Sequence, residues 1–346
     1  MTSETSNPNP ARKRPSTIVD VAEMAGVAIG TVSRHLNGMP VRASNRDQIE
    51  RAITALGYRR NSTAVAMKTN TSRIVGFLVP ALGEFHAAML EQLSRKMRLS
   101  GRAVLSFCHN TQPATIREGL EFFAAHRVDA LVMDGEESIR QEVLRYIDEG
   151  LLVVLYDNDI PGLPVDRVFV DNRKASARAV SHLLDLGHER IATIHGSQRD
   201  SAGRERLQGY RDAFAAHGLT PDPALVMDGQ WGEIGGYERM RDLLALAQPP
   251  TAVFSANYNM TLGSLGYLHE AGIDIPRDLS LVSFDDVPAL RLHKPAITAV
   301  AQPITEVAEA IANIVDTRLA DPAAMGRHDV RIDCGITLRD SARRLK

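Results

Sequence analysis

From residue 73 to residue 286 the chain alternates short apolar runs with helical patterns, and this rhythm constrains the fold more than any other feature. The runs are Arg73–Pro80, Ala103–Cys108, Ala130–Met133 and Val153–Tyr156, then Arg190–Ile194, Ala224–Met227, Ala252–Ser255 and Leu279–Phe284. Helical patterns fall at Phe85–Ser100, Ala114–Ala125 and around Ile139–Glu149, then at Ala175–Leu186, Arg204–His217, Ile234–Leu246 and Leu262–Ala271. Repeated strand–helix alternation gives parallel sheets covered by helices on both faces. A stretch of about 270 residues suits two such lobes. Ligands in these folds bind beyond the carboxyl ends of the strands, so two lobes place a site in the cleft between them. The side chains to weigh therefore follow the runs: Phe85 and His86, Asp134, Asp157 and Asn158, His195, Trp231, Asn257, and the pair Asp285 and Asp286.

The first seventy residues do not share this rhythm. Residues 1–15 are polar, proline-rich and unpatterned, which predicts a disordered tail. Thr17 followed by Asp20 has the spacing of a capping box. A short helix then runs through Val19–Ala25 and stops at Gly26; a second covers about Ala28–Leu36 and ends at Asn37-Gly38; a third covers about Ser44–Leu56 and ends at Gly57. Two helices around a tight turn with a third in support is the helix-turn-helix plan, predicted over residues 16–60. The charge agrees. The whole chain holds 40 basic and 42 acidic residues, a net of -2. Residues 1–68 hold ten basic and five acidic residues, leaving the remainder at a net of -7. A basic head on an acidic body points to a polyanionic partner, most commonly nucleic acid. In this plan the second helix enters the major groove. Val32 and Leu36 would pack inward, while Ile29, Gly30, Ser33 and Arg34 face out. Arg34 can bond both major-groove acceptors of guanine. Ile29 offers an apolar contact, Gly30 offers no side chain, and Thr31, Ser33 and Asn37 suit phosphates.

The segments STIVDVAEMAGVAIGTVSRHLNG and RDQIERAITALGYRRNS resemble the LacI/GalR family of bacterial repressors. The resemblance is carried by Val19-Asp20-Val21-Ala22, Ala25-Gly26-Val27, Thr31-Val32-Ser33-Arg34, Leu36-Asn37-Gly38 and Leu56-Gly57-Tyr58, and later motifs extend it along the chain. It implies a small all-α helix-turn-helix head, then a two-lobe α/β core of parallel sheets (residues 71–346) on the plan of the periplasmic sugar-binding proteins. Residues 61–70 would be a hinge helix and linker, too short to persist alone. In the family this segment folds over DNA, where apolar side chains wedge into the minor groove. Met67 stands where the family usually has Leu, and Lys68 would flank phosphates. Arg60 stands where the family usually has Pro.

In the core, Gly203-Arg204-Glu205-Arg206-Leu207-Gln208-Gly209-Tyr210 resembles the family's RxxGF-type motif, and Ser283-Phe284-Asp285-Asp286 its GFDD. By this resemblance Phe85, His86, Asp157, Arg206, Trp231, Asn257 and Asp285 form the effector set. Sugar chemistry suits them: Arg206 can donate to two oxygens, Asp157 and Asp285 accept, Asn257 does both, and aromatic faces pack on the C–H face of a sugar ring. The bland alternatives are a structural ion pair for Arg206, a packed surface aromatic for Trp231 and a loop or helix cap for Asp285. Tyr258 departs from the family, which has Asp after the asparagine. Arg199, Arg204, His195 and His86 could add positive charge, which admits a sugar acid or sugar phosphate.

These features describe a cytoplasmic, ligand-modulated repressor that binds a palindromic double-stranded operator as a homodimer. No run of about 18 apolar residues appears and no apolar stretch follows the N-terminal basic cluster. Cys108 and Cys334 have no zinc or redox spacing, and no metal or cofactor is expected. An enzyme or a transport-associated solute-binding protein on the same core is the alternative. GxSxG, P-loop and HExxH motifs are absent, so no catalytic residue is expected. The C-terminus carries no leucine heptads, so a dimer is expected.

Overall fold

The computed structural model describes residues 14, 16–59, 71–321 and 326–345. The chain divides into two compact units at Ser72/Arg73. Residue 14 apart, the expected tail lies outside the described residues, as do the expected hinge helix and linker with Met67 and Lys68.

The first unit holds α1 (Ile18–Ala25), α2 (Ile29–Leu36) and α3 (Ala43–Leu56). Thr17 and Asp20 form the expected box: the Thr17 N–H donates to the Asp20 carboxylate at 2.6 Å, and Thr17 Oγ1 accepts from the Asp20 N–H at 3.3 Å. Gly26 and Gly57 end α1 and α3 in the left-handed conformation, at φ 64° and 57°, where glycine carries no Cβ penalty. Val21, Ala22, Ala25, Val32, Ile49 and Ala52 make the small core.

The second unit contains two six-stranded sheets. The first orders its strands β11-β5-β4-β3-β1-β2, from β1 (Ile74–Val79), β2 (Ala103–Cys108), β3 (Ala130–Asp134), β4 (Leu152–Tyr156), β5 (Asp166–Val170) and β11 (Asp329–Ile332). The second orders them β12-β10-β9-β8-β6-β7, from β6 (Ile191–His195), β7 (Val226–Asp228), β8 (Ala252–Ser255), β9 (Ser280–Phe284), β10 (Thr298–Ala301) and β12 (Gly335–Thr337). All pairings are parallel except β10 with β12. Each lobe thus repeats one strand order, with β1 to β5 matched by β6 to β10.

The helices between the strands are α4 (Glu84–Leu99), α5 (Pro113–Ala125), α6 (Arg140–Asp148), α7 (Asn172–Asp185), α8 (Ser201–Ala216), α9 (Glu233–Leu244), α10 (Tyr258–Glu270), α11 (Pro288–Leu292) and α12 (Ile304–Ala320). The chain crosses between lobes three times. After β5 it enters the second lobe through α7, which packs on α8. After β10 it returns through α12, which packs on α4, and after β11 it enters β12. Three crossings tie the lobes while leaving the strand ends of both facing one space. Strands β5, β10, β11 and β12 were not among the expected runs. Those at β11 and β12 are partly exposed edges whose short, mixed sequences carry little hydrophobic signal. The seventh strand begins at Val226 because Pro223–Leu225 is a 3-10 turn.

Candidate functional site

Two sites emerge, one in each unit. In the head, Val32 is fully buried, whereas Ile29 is 48% exposed and Gly30 and Arg34 lie on the open face. Thr31 and Ser33 are half-buried. The Asn37 side-chain amide donates to the Ser33 carbonyl at 2.8 Å, closing the end of α2. His35 Nε2 lies 3.8 Å from a Glu50 carboxylate oxygen, pinning the helix to α3. The outward set Ile29, Gly30 and Arg34 is thus presented on one rigid helix.

In the core, one cavity of about 260 Å³ is lined by all seven expected effector residues: Phe85, His86, Asp157, Arg206, Trp231, Asn257 and Asp285. The lobe repeat explains the convergence. Asp157 follows β4 and Asp285 follows its counterpart β9. Both have positive φ, 59° and 78°, as does Trp231 at 62°. Left-handed backbone at non-glycine residues costs energy and concentrates at functional sites.

Arg206 is only 4% exposed. Its Nε donates to Asn172 Oδ1 at 2.8 Å, and an Nη donates to the Ala256 carbonyl at 2.6 Å. Its guanidinium lies 3.6 Å from the Phe284 ring centroid and 5.4 Å from that of Trp231. Among the described residues no carboxylate pairs with it directly, so the ion-pair alternative gives way to a cation held by neutral acceptors and aromatic faces. The Trp231 ring lies so close to Gly196 that a Cβ there would fall 2.1 Å from it. Its indole N–H donates to Asp200 at 2.5 Å.

Asp285 accepts from the Tyr258 N–H at 3.2 Å and from the Gln302 amide at 2.6 Å. Its neighbour Asp286 instead takes a forked bond from Arg339 at 2.9 and 2.7 Å. Asn257 caps α10, accepting from the Met260 N–H at 2.9 Å while donating to the Trp231 carbonyl at 3.0 Å. It lines the cavity chiefly as a positioner of Trp231.

Burial pushes the Asp157 carboxyl up to about 6, with Arg206 opposing and Asp285 reinforcing. Burial holds His86 down to about 4, with Asp285 opposing. Its Nε2 is buried without a hydrogen bond, 3.9 Å from an Asp157 oxygen. Burial also brings His109 down to about 4; its Nδ1 accepts from the Thr111 N–H at 3.1 Å.

Each lobe also caps a helix of the other. The Tyr258 hydroxyl accepts from the Glu84 N–H at the start of α4, at 3.2 Å. Asn158 Oδ1 accepts from the Ala202 N–H at 2.9 Å and the Ser201 hydroxyl at 3.3 Å, at the start of α8. Capping satisfies helix N–H groups that would otherwise seek water or a ligand.

Comparison with known proteins decides the family. Residues 17–61 match the model "Bacterial regulatory proteins, lacI family", and residues 180–342 match a "Periplasmic binding protein-like domain". The HTH-type transcriptional regulator GalR of Escherichia coli is 32% identical over 330 residues, covering 91% of this chain and 96% of GalR. The chain belongs to the LacI family. It is a DNA-binding transcriptional regulator. The HTH-type transcriptional repressor PurR of Haemophilus influenzae is 28% identical over 306 residues, with 88% of this chain and 91% of PurR covered. Among solved structures, a complex of the transcriptional regulator CelR with cellobiose is 28% identical with a TM-score of 0.72, covering 95% of this chain and all of that one. The Lac repressor dimer bound to operator and the anti-inducer ONPF shares the fold, with a TM-score of 0.85 at 22% identity and the same coverage.

In this LacI-family chain the cavity also takes His109, Asp134, Glu136, Asn158, Asp200, Tyr258 and Gln302. Asp134, Asn158 and Tyr258 had been noticed in the sequence but not assigned. His109 and Gln302 follow β2 and β10, so the strand-end rule would have found them had it been applied to every strand. Of the groups that could add positive charge near the cleft, Arg204 acts on the lining carboxylate Asp200 from outside the lining. An Arg204 Nη donates to the Gln198 carbonyl at 3.2 Å and also reaches the Arg199 carbonyl. The His195 ring donates to the Gly196 carbonyl at 2.8 Å, and His86 is held neutral. None of Arg199, Arg204 and His195 lines the cavity. Among the described residues no group of His, Cys, Asp and Glu could hold a metal, and no helix is long and apolar enough to cross a membrane.

Proposed function

We propose that this regulator is a cytoplasmic homodimeric repressor of a palindromic operator, and that a sugar or sugar derivative in the core cavity changes its affinity for DNA. The observation that carries this is the convergence of seven sequence-chosen residues on one cavity, in a chain whose head presents Arg34 on an open helix face. The relatives support it: CelR was solved with cellobiose, and the Lac repressor as a dimer on operator with a ligand. Arg34 reads a base, Ile29 and Gly30 approach the groove, Thr31, Ser33 and Asn37 face phosphates, Met67 wedges the minor groove and Lys68 flanks it. Arg206 and Asp285 orient ligand hydroxyls, Asp157 accepts from them, His86 offers its unpartnered nitrogen, and Phe85 and Trp231 cover the ring. The protein binds and does not catalyse.

The test has two parts. Selection of bound genomic fragments identifies the operator. A melting-temperature screen of sugars then identifies ligands, since a ligand bound only to the native state raises the melting temperature. Operator binding that ignores every cavity ligand defeats the proposal.

A further inference from the structure

Five carboxylates line the cavity: Asp134, Asp157, Asp200, Asp285 and Glu136. Arg206 is the single arginine or lysine in the lining. Two of its nitrogens already serve Asn172 and the Ala256 carbonyl, and its face lies on Phe284. The hydrogen-bond partners of the other carboxylates are neutral, and the Arg204 cation, outside the lining, acts on Asp200. Asp134 accepts from the Asn158 N–H at 3.1 Å, Asp200 from the Trp231 indole, Glu136 from the Ser138 N–H at 3.1 Å, and Asp285 from Tyr258 and Gln302. Both histidines are held in the neutral form by burial. The lining therefore holds more carboxyl groups than cations to pair them, Asp134, Asp157 and Asp200 among them. Like charges in a desolvated space oppose one another's ionisation. Asp134 is accordingly pushed well up by burial and then by Asp157, and Asp200 upward by burial, with the Trp231 hydrogen bond and Arg204 opposing and Glu136 and Asp157 reinforcing.

An anionic ligand would add to this repulsion. A shared metal ion has no suitable ligand group among the described residues. The neutral groups of the lining suit hydroxyls and a ring face: Trp231, Phe85, the Asn257 and Gln302 amides, and the unpartnered His86 Nε2.

We propose that the cavity ligand is an ammonium-bearing polyol of the amino-sugar class, its cation seated among Asp134, Asp157 and Asp200. This rests on the reading of the cavity as the effector site and names the chemistry of its ligand. An ammonium group donates three hydrogen bonds and lets carboxylates ionise that otherwise oppose one another.

The test is calorimetry on the full chain with glucosamine, galactosamine and mannosamine, each against its neutral, N-acetylated and 6-phosphorylated counterpart. N-acetylation removes the charge while keeping the ring. We expect at least one amine to bind about tenfold or more tightly than its uncharged counterparts, a difference of about 1.4 kcal/mol, and no phosphorylated sugar to bind. Asp157→Asn should erase that preference while keeping a normal melting transition. An amine preference unchanged in Asp157→Asn overturns the seat. Neutral or phosphorylated sugars binding as tightly as the amines overturns the ligand class and leaves the effector reading standing. Binding by none of the amines also overturns the class, and the neutral sugars then decide whether the effector reading stands alone.

Discussion

The head and the core solve recognition in opposite ways. The head is a basic unit with a core of six small side chains, and its functional residues stand outside that core on an exposed helix face. The core is acidic, and its functional residues sit at the ends of buried strands, several more than nine-tenths buried and some with strained backbone. The difference follows from the ligands. DNA is a large polyanion that is met on a surface, so exposure and positive charge are what matter. A small polar molecule must be taken out of water, so each polar group around it has to be placed and partnered in advance. The head can therefore tolerate change at its reading residues without unfolding, whereas the cavity couples binding to stability at nearly every position.

The largest expected effect separates the two units outright. A fragment of residues 73–346 should melt cooperatively and keep ligand binding, while DNA binding at physiological salt is lost entirely. Fluorescence anisotropy on operator DNA measures this, and retained binding would mean that the core shares the DNA surface. Within the head, Arg34→Ala should cost about 1–3 kcal/mol on operator and far less on random DNA, with the melting temperature unchanged. Equal losses on both DNAs would make Arg34 a phosphate contact only.

Gly196→Ala should do the reverse, costing about 1–3 kcal/mol of core stability as the new methyl displaces Trp231, and reducing ligand affinity with ligand-free DNA binding intact. A smaller effect comes from Asp157. Its folded pKa is raised above the ordinary value, to about 6. Its contribution is thus harmless below about pH 4 and becomes a cost as pH rises through about 6. Relative to wild type, Asp157→Asn should gain on the order of 1–2 kcal/mol across that window and nothing below it. Denaturant melts at several pH values measure the difference, and a flat one would remove the burial argument.

Much of this contrast is legible in the sequence, for reasons tied to particular residues. The head follows from local chemistry. Thr17 with Asp20, Gly26, Gly38 and Gly57 each act within a few residues, so helix limits fall within one residue of expectation. Strands β1 to β4 and β6 to β9 follow from apolar runs, and the strand-end rule then reaches most of the cavity. What escapes depends on contacts distant in sequence. The exposed edge strands β11 and β12 are fixed only by their neighbours β5 and β10. The reciprocal caps join residues 158 and 202, and residues 84 and 258. Charge around the cavity is likewise set by the fold: neither Arg199 nor Arg204 lines it, and Arg204 acts on Asp200 from outside the lining. Tyr258 stood out as a departure from the family, yet only the structure ties its hydroxyl to α4.

The central claim is that occupancy of the core cavity changes what the head does on DNA. The most direct measurement is operator affinity of wild type and Arg206→Ala, with and without the sugar that gives the largest melting-temperature rise. We expect the wild-type dissociation constant to change by about tenfold, within the usual range of coupling between sites. Arg206→Ala should bind ligand-free operator as wild type does and show no response. Wild-type operator affinity that stays constant while the sugar saturates the cavity would contradict the claim.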